Sequence, residues 1–410
     1  MKLIKNLWYF SFWIFVRLAL KVYFRDIKMS GKENLPKNAP VIFGANHENA
    51  LIDPLIMTTR LPWMIHYLVR ADVFSNPLVK AFLNSLNLMP VYRISDGVNS
   101  VKANEKIFND CFKVFAKGEH LILFPEATHD PSRIVKKAKK GIARIAIGAM
   151  NYVDAPKELY IVPTGMNYSR HSYFRSSVHI IFGQPIKIES QELTSDNIDD
   201  IKDRYDAGLQ EVSVSLPKAD FEIFDTIFFH DQHPGIPLDP IDINTQVSEI
   251  SQYITEEQKE NILATKKELT KSGLHFPFEY RTNYWLHGIL SVLMVPIGAL
   301  GAMIHSVPLL AMTRIMKGFK DKVWKDTIHF AVGMVLVPFC WLVVGLVVAN
   351  VLGQAYFGLM AAVACFLSFI FMKTMTRHWT LFVTNRSLRR NKAMHESYLK
   401  FVGLIDQFRS

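Results

Sequence analysis

The sequence has few cysteines and lacks the motifs of nucleic-acid-binding proteins. Its three cysteines, Cys111, Cys340 and Cys365, show no metal-ligand spacing and cannot form a disulfide framework, and we expect no metal ion. No helix-turn-helix, zinc-finger or RNA-binding signature accompanies the net charge of +10. No internal repeat or low-complexity segment is evident. Because the basic residues lie beside long apolar segments, the charge predicts contact with a membrane surface and no nucleic-acid partner.

Apolar residues make up 50% of the chain and are concentrated near its carboxyl end. Residues 327–352 and residues 354–372 each supply about the 20 apolar residues that a membrane-spanning helix needs. Gly353 lies between the two runs and predicts a tight connection. We therefore expect these residues to form a helical hairpin in the bilayer.

Residues 286–312 form a third apolar segment, which Pro296 and Gly301 interrupt. Lysine and arginine residues follow this segment and also follow the last predicted span, so both regions are predicted to be cytoplasmic. A single crossing between them would place the rest of the chain on the opposite side. We therefore expect a re-entrant hairpin bent at residues 296–301, with three true spans as the alternative.

The amino-terminal 35 residues begin like a secretory signal peptide but lack the rest of its pattern. Lys2 and Lys5 precede an apolar run, but Arg17 and Lys21 break its continuation and no small-residue cleavage site is present. The run is too short for a secure span, and its aromatic residues and embedded cations are typical of a helix in the membrane interface. A helix buried in a soluble domain is the alternative.

From residue 36 to about residue 188, short β-branched strands alternate with helical stretches. This alternation predicts an α/β domain, a mixed sheet covered by helices. His47 and Asp53 follow the strand at residues 40–44, at the end of the strand where open α/β sheets hold their chemistry. A neutral imidazole is the usual proton acceptor near pH 7, and a neighbouring carboxylate orients the ring and stabilises the imidazolium. The pair is therefore a candidate for activating a hydroxyl group, although a structural histidine is commoner at such a spacing taken alone.

Three later segments make the motif more specific. They are Val91-Tyr92-Arg93, Phe124-Pro125-Glu126-Ala127-Thr128-His129-Asp130, and Ile161 to Tyr168 with its Gly-Met-Asn-Tyr ending. In this order, residues 38–190 resemble the four sequence blocks of the glycerolipid acyltransferases. Five residues between His47 and Asp53, and the Gly-Met-Asn-Tyr block, resemble most closely the fungal-type glycerol-3-phosphate/dihydroxyacetone-phosphate members.

This resemblance implies an α/β acyltransferase domain that moves a fatty acyl chain from a thioester to a phosphorylated glycerol. It implies that His47 acts as the base and that Asp53 orients it. Acceptor binding is implied for Arg93 and for the third block, which contains Glu126, Ala127 and Thr128. The implied co-substrates are acyl-CoA or acyl carrier protein and the phosphorylated glycerol acceptor, in contact with membrane lipids and without a cofactor.

The third block leaves open which cation meets the acceptor's phosphate. The family pattern reads Pro-Glu-Gly-Thr-Arg, whereas Ala127 stands here for the glycine and His129 for the arginine. Lys139 and Lys140 precede a predicted helix at Gly141, and a helix amino terminus beside cations is a ready anion site. We treat these lysines as candidate phosphate ligands, with a solvated charge run as the equal alternative.

Two other functions stay open. A lysophosphatidate (1-acylglycerol-3-phosphate) acyltransferase uses the same chemistry on an acceptor that already carries one chain, and a catalytically silent lipid-binding membrane scaffold belongs to a different class. The catalytic domain is expected on the cytoplasmic face of an integral membrane protein. The predicted segments are an interface helix at 1–35, an α/β acyltransferase domain at 36–215, a helical connector at 216–283, transmembrane or re-entrant helices at 284–375, and a basic cytoplasmic tail at 376–410.

Overall fold

The computed structural model of the protein describes residues 2–92, 100–126, 132–171, 174–230, 239–276, 278–317 and 322–408. The chain divides into two units. Unit 1 comprises Met1–Phe221 with Pro234–Val247, and unit 2 comprises Glu222–His233 with Ser248–Ser410. The predicted α/β domain therefore lies in unit 1 and the apolar carboxyl-terminal segments lie in unit 2.

Unit 1 contains the described strands of the protein, and helices occur in both units. The strands are β1 Asp26–Ser30, β2 Val41–Ala45, β3 Ile65–Arg70, β4 Leu88–Val91, β5 His120–Leu123, β6 Leu159–Tyr168, β7 Ser177–Phe182 and β8 Ile186–Ile188. The first helices are α1 Lys2–Tyr23, α2 Ile52–Arg60, α3 Pro77–Ser85, α4 Ser100–Ala116, α5 Gly141–Met150, α6 Ser195–Val212, α7 Phe221–Phe229 and α8 Pro240–Tyr253. The remaining helices are α9 Glu256–Lys271, α10 Tyr284–Leu293, α11 Val295–Ile304, α12 Ser306–Met316, α13 Lys322–Leu352, α14 Ala355–Arg390 and α15 Lys392–Asp406.

The eight described strands form one mixed sheet in the order β1-β7-β6-β2-β5-β3-β4, with β8 also paired to β6. Strands β2 to β6 run parallel, whereas β7 and β8 run antiparallel to β6. Gly44 on β2 pairs with Leu123 on β5, and Ala45 pairs with Thr164 on β6. The predicted mixed α/β sheet is confirmed, and this register brings the carboxyl ends of its central strands together.

Helices cover the sheet with the stripes that their sequences predict. Ile142, Ile145 and Ala146 of α5 are buried in the main apolar cluster, as are the helically spaced apolar residues of α6. Every residue of β2 is buried, as expected for a central parallel strand with helices on both faces. The site that follows β2 is therefore built on a rigid base.

Helix α1 has two different apolar faces. One face packs on unit 1, where its fully or largely buried residues are Tyr9, Trp13, Val16 and Leu20. The hydroxyl of Tyr9 accepts a hydrogen bond of 2.9 Å from the backbone N–H of Ile65. The opposite face leaves large apolar side chains exposed, among them Leu3, Leu7, Ile14 and Leu18. The helix thus combines a buried face with an apolar surface suited to a membrane interface.

The Gly-Met-Asn-Tyr block ends β6 and closes it against the segment after α6. A Cβ on Gly165 would lie 1.8 Å from the carbonyl oxygen of Val212, so only glycine permits this approach. The side chain of Asn167 donates to the same oxygen at 2.9 Å and accepts from the N–H of Val214 at 2.9 Å. Gly165 and Asn167 therefore have packing roles in this block.

Three described helices are long and apolar enough to cross a membrane by length and composition: Leu3–Tyr23, His329–Leu352 and Ala355–Arg390. The last two correspond to the predicted hairpin, and Gly353 between them adopts a φ of 70°. Helix α14 continues unbroken to Arg390, well beyond the predicted end of the span at residue 372. The predicted tail is accordingly helical, in the end of α14 and in α15.

The third apolar segment bends sharply between α10 and α11. The two helices meet at 62° with Met294 at the junction, and Pro296 lies in the first turn of α11. Proline is favoured there because the first helical N–H groups have no intrahelical acceptor. The bend expected at residues 296–301 therefore occurs just before the proline.

Helices α10 and α11 pack along α14. His287 and His378 approach to 2.6 Å between their Nδ1 atoms. Further along, a Cβ on Gly301 would lie 2.4 Å from the carbonyl oxygen of Ser368, so glycine allows close packing at this level. Because higher numbers on α11 meet lower numbers on α14, the two segments are antiparallel.

Helix α12 then turns back along α13. Trp341 Nε1 donates to His305 Nε2 at 2.7 Å at the start of α12, whereas Met312 lies against Gly333. The turn of the α13–α14 hairpin is at Gly353, so Gly333 lies further from this turn than Trp341 does. Helix α12 therefore runs away from the turn. The segment from α10 to α12 thus enters and leaves on the same side of the helix bundle in unit 2.

Candidate active site

The sheet edge formed by the ends of β2, β5 and β6 carries three of the sequence blocks. His47 follows β2, Glu126 follows β5, and Tyr168 is the last residue of β6. Their backbones come together because β2 lies between β5 and β6 as their parallel neighbour, and β6 continues four residues beyond the pair of Ala45 with Thr164. The expected location of His47 and Asp53 at the carboxyl edge of the sheet is confirmed.

His47 and Asp53 form a direct hydrogen-bonded pair. His47 Nδ1 lies 2.9 Å from Asp53 Oδ2, and the same oxygen accepts from the backbone N–H of Asn49 at 2.8 Å. Asp53 is fully buried in the first turn of α2, while the His47 side chain keeps 18% of its surface exposed. The five-residue spacing is accommodated by Ala50, which adopts a positive φ of 34°. An accessible imidazole oriented by a buried carboxylate is the arrangement that general-base catalysis requires.

Tyr168 supplies a further hydrogen bond to the Asp53 carboxylate. Its hydroxyl donates to Oδ1 of Asp53, the oxygen that His47 does not use. Burial first, and then the charge of Asp53, raise the pKa of Tyr168 well above its usual value, so this hydroxyl keeps its proton. The sequence motif contained Tyr168 but gave no sign of this role, because the contact joins residues 115 positions apart.

Phe124 fixes the plane of the imidazole. The two rings stack with their centroids 4.0 Å apart and their planes 19° apart. Since Asp53 holds one ring nitrogen and Phe124 covers one face, the ring has little freedom to rotate. Phe124 immediately precedes the Pro-Glu block, and sequence reasoning did not assign it a function.

A second histidine–carboxylate pair lies beside the first. His171 Nε2 is 2.5 Å from Glu48 Oε2, and Asn46 donates to Glu48 Oε1 at 3.0 Å. Asn46 also exchanges two hydrogen bonds with the backbone of Met166 on β6, which ties the ends of β2 and β6 together. Glu48 and His171 are further residues of the site that the sequence analysis missed.

Glu126 is a buried carboxyl group next to this cluster. Burial, as the largest effect, raises its pKa to about 8, and the nearby charge of Glu48 adds to the shift. The N–H of Lys136 donates to Glu126 at 3.3 Å and only partly offsets the burial. Near pH 7 the group is therefore mostly protonated, and a protonated carboxyl can donate a hydrogen bond as well as accept one.

This geometry can be compared with known proteins. Residues 26–167 match the model of the family described as Acyltransferase. This part of the chain is an Acyltransferase-family domain. It contains the paired His47 and Asp53, the Glu126 block and the first nine residues of β6.

Named relatives of the acyltransferase domain fall into two substrate groups. A 1-acyl-sn-glycerol-3-phosphate acyltransferase of Bacillus subtilis is 25% identical over 172 residues, which are 41% of this chain and 79% of that protein. Glycerol-3-phosphate O-acyltransferase 1 of Saccharomyces cerevisiae is 31% identical over 126 residues, which are 28% of this chain but only 16% of the yeast protein. The protein is thus similar to glycerolipid acyltransferases of both kinds.

A solved structure shows a weaker likeness. The 1-acyl-sn-glycerophosphate (LPA) acyltransferase PlsC of Thermotoga maritima is 20% identical, with 50% of this chain and 80% of that chain covered and a TM-score of 0.37. The α/β architecture of the acyltransferase domain therefore rests on its own sheet and helices.

The structure describes three of the predicted acceptor residues, Glu126, Lys139 and Lys140. Lys139 and Lys140 are exposed where α5 begins, and Lys140 Nζ forms an ion pair of 2.9 Å with Asp199. Lys140 is thus engaged on the surface of the domain, and its role toward phosphate stays a prediction. Arg93, Ala127 and Thr128 lie outside the described residues, as does His129.

The raised pKa of Glu126 gives a testable stability effect in the acyltransferase domain. An unfolded glutamic acid titrates near 4.5 and folded Glu126 near 8, so folding is increasingly penalised as the pH rises between these values. The full shift corresponds to at most about 5 kcal/mol of unfolding free energy. We expect Glu126→Gln to remove this penalty, so its thermal midpoint should gain on the wild type as the pH rises from about 5 to about 9. Parallel midpoint curves for the two proteins would contradict the buried, protonated state.

Proposed function

We propose that the protein is a membrane-bound O-acyltransferase that moves a fatty acyl chain from an acyl thioester to glycerol-3-phosphate or dihydroxyacetone phosphate. The observation that carries this proposal is the His47–Asp53 pair at 2.9 Å, with the imidazole accessible and the carboxylate buried. The family of the domain supports acyl transfer, and the two kinds of named relative support a phosphorylated glycerol acceptor.

In the proposed mechanism, His47 takes the proton of the acceptor hydroxyl through Nε2, because Nδ1 is held by Asp53. The oxygen attacks the thioester carbonyl carbon, and the carbon–sulfur bond breaks as the ester forms. The imidazolium then returns the proton to the departing thiolate. Asp53 stabilises the transient positive charge of the ring, so no metal ion or covalent acyl-enzyme is needed.

Acceptor recognition is proposed for Arg93 and for the Glu126 block, with Lys139 and Lys140 as further candidates. Arginine is suited to phosphate because its donors form a planar fork. Glu126 can meet a hydroxyl or a phosphate oxygen without repulsion, because its raised pKa keeps it largely neutral near pH 7.

The Arg93 assignment predicts a selective binding defect. Arg93→Lys keeps the charge but loses two-point contact, so the apparent KM for the phosphorylated acceptor should rise about tenfold or more. The KM for the acyl thioester should change little. Initial-rate measurements with each substrate varied in turn check this expectation, and equal effects on both substrates would point to a folding role.

A product assay tests the function as a whole. Purified protein is supplied with acyl-CoA or acyl carrier protein as donor, and with glycerol-3-phosphate, dihydroxyacetone phosphate or lysophosphatidate as acceptor. We expect a monoacylated phosphorylated product with one of the first two acceptors. Product from lysophosphatidate alone would establish the second acylation instead. No product with any donor would favour a lipid-binding scaffold.

A cytoplasmic placement of the active site is part of the proposal. The α13–α14 hairpin supplies two spans, and the path of α10 to α12 supports a re-entrant segment that does not reverse the side. Basic residues follow α12 and end α14, as the positive-inside rule favours for cytoplasmic segments. The exposed apolar face of α1 would rest in the interface on the same side.

This topology predicts a labelling pattern. In a cysteine-free background, single cysteines at Lys106, Lys317 and Asn391 should react with an impermeant thiol reagent from the cytoplasmic side only. A cysteine at Gly353 should react from the other side only. Reaction at Lys317 from the far side would establish a complete crossing by α10 to α12 and overturn the re-entrant arrangement.

A further inference from the structure

A basic groove lies on unit 2, in a part of the chain that the proposed reaction does not use. It is a shallow depression of about 870 Å³ that is largely open to solvent, and its lining includes Trp379, Phe382, Arg386, Arg390 and Lys392. The lining residues belong to the last turns of α14 and the start of α15 and include no carboxylate. The groove therefore offers three cations beside an aromatic wall.

Arg386 is held in place by aromatic rings. Its guanidinium carbon lies 5.5 Å from the ring centroid of Phe382 and 5.7 Å from that of Trp285. Its Nε atom is buried and has no hydrogen-bond partner among the described residues. Arg377 on the same helix differs, because it lies 3.5 Å from the carboxylate of Glu279. Arg386 thus has the orientation of an anion-binding arginine without an internal counter-ion in the described part of the chain.

The groove lies where α14 changes from apolar to basic. About 20 residues of helix cross the hydrocarbon of a bilayer, so a span that starts near Ala355 ends a few residues before Trp379. Trp379 and Trp285 keep 50% and 56% of their surface exposed, and tryptophan is favoured at the level of the headgroups. Arg386 and Arg390 follow within the next turns. At about 1.5 Å per residue, Arg386 lies about 10 Å and Arg390 about 16 Å beyond Trp379, so both cations lie on the headgroup and water side of the tryptophans.

We propose that this groove binds the phosphate of an anionic membrane phospholipid, with Arg386 and Arg390 as the principal ligands. The proposal rests on the membrane placement of α14 in the proposed function, but not on the His47 chemistry. Arg386 meets the phosphate from the aromatic wall, and Arg390 and Lys392 meet it from the exposed side. The lipid's acyl chains would then lie along the exposed apolar residues of α10, such as Leu286 and Ile289.

Lipid binding to the full-length protein in detergent tests the proposal. The probe is dioleoyl phosphatidylglycerol, measured by native mass spectrometry against dioleoyl phosphatidylcholine. A cation near the membrane surface strengthens anionic-lipid binding by about fivefold, so Arg386→Gln with Arg390→Gln should weaken phosphatidylglycerol binding by about twenty-five-fold. Arg390→Gln with Lys392→Gln changes only exposed side chains and should have a similar effect without loss of thermal stability. Lys400→Gln, an exposed change elsewhere on α15, is the matched control and should leave binding unchanged.

Each other outcome overturns the assignment. Equal binding of phosphatidylglycerol by the wild type and by both double variants would remove the site. If the wild type bound phosphatidylcholine as tightly as phosphatidylglycerol, the site would not select anionic lipids. Displacement of the lipid by millimolar inorganic phosphate would identify a site for free phosphate. His47→Ala should bind phosphatidylglycerol like the wild type, so loss of turnover and loss of this lipid site can be told apart.

Discussion

Replacing His47 with alanine should lower turnover by at least about two orders of magnitude, because a positioned general base typically contributes about 10² to 10⁴ in rate. The side chain lies at the accessible end of the strand rather than in the apolar core, and keeps part of its surface exposed, so the variant should still fold. The measurement is the initial rate of ester formation by purified His47→Ala at saturating donor and acceptor.

A second histidine of unit 1 provides the control for this experiment. His66 is similarly buried and also pairs with a carboxylate, Glu119, at 2.7 Å. His66→Ala removes the same group from another part of the domain and should retain turnover within about twofold. Near-normal turnover of His47→Ala would rule out the proposed mechanism.

Asp53→Asn should lower turnover by about two to four orders of magnitude at nearly unchanged side-chain size. Asp53 accepts hydrogen bonds on both oxygens, from His47 and Asn49 on one and from Tyr168 on the other. Asparagine has one acceptor oxygen and one donor amide, so it cannot accept hydrogen bonds on both sides, and it carries no charge to stabilise the imidazolium. Initial rates and a thermal melt of the purified variant separate the catalytic loss from unfolding.

Tyr168→Phe tests the same carboxylate from its other side. This variant keeps the negative charge of Asp53 and removes one donor, so we expect a loss of about tenfold, far below that of Asp53→Asn. A loss as large as that of Asp53→Asn would mean that the placement of the carboxylate, rather than its charge, dominates the rate.

Local patterns in the sequence identified the elements and the central pair. Strand β2 and the stripe of α5 follow from the spacing of apolar residues, and the pairing of His47 with Asp53 follows from a motif that spans a single turn. The mixed sheet followed from the alternation of strands and helices. The apolar spacings and the contact of His47 with Asp53 are local in the chain, whereas the alternation predicted only the class of the sheet and not the order of its strands.

Long-range contacts could not be read from the same patterns. The hydroxyl of Tyr168 reaches Asp53, and His171 reaches Glu48, only because the strand register of the sheet brings their segments together. The protonation of Glu126 depends on burial by residues distant in sequence. The sequence predicted a re-entrant hairpin but placed its bend at residues 296–301, whereas the chain turns back at His305, where α12 begins to pack on a helix that lies later in the chain.

Helix α14 is continuous, so the direction in which side chains point at one end fixes the direction in which they point at the other end. Its 36 residues extend about 54 Å, with Gly301 packed against Ser368 in the apolar part and Asn385 bonded to the backbone of Arg281 at 2.8 Å in the polar part. Each added residue turns a helix by about 100° and lengthens it by about 1.5 Å. One alanine inserted between Met375 and Trp379 would therefore swing Asn385 away from its partner if the apolar packing were kept. Because α14 is one continuous helix, its length and helical phase fix how the polar part of unit 2 is oriented relative to its apolar part.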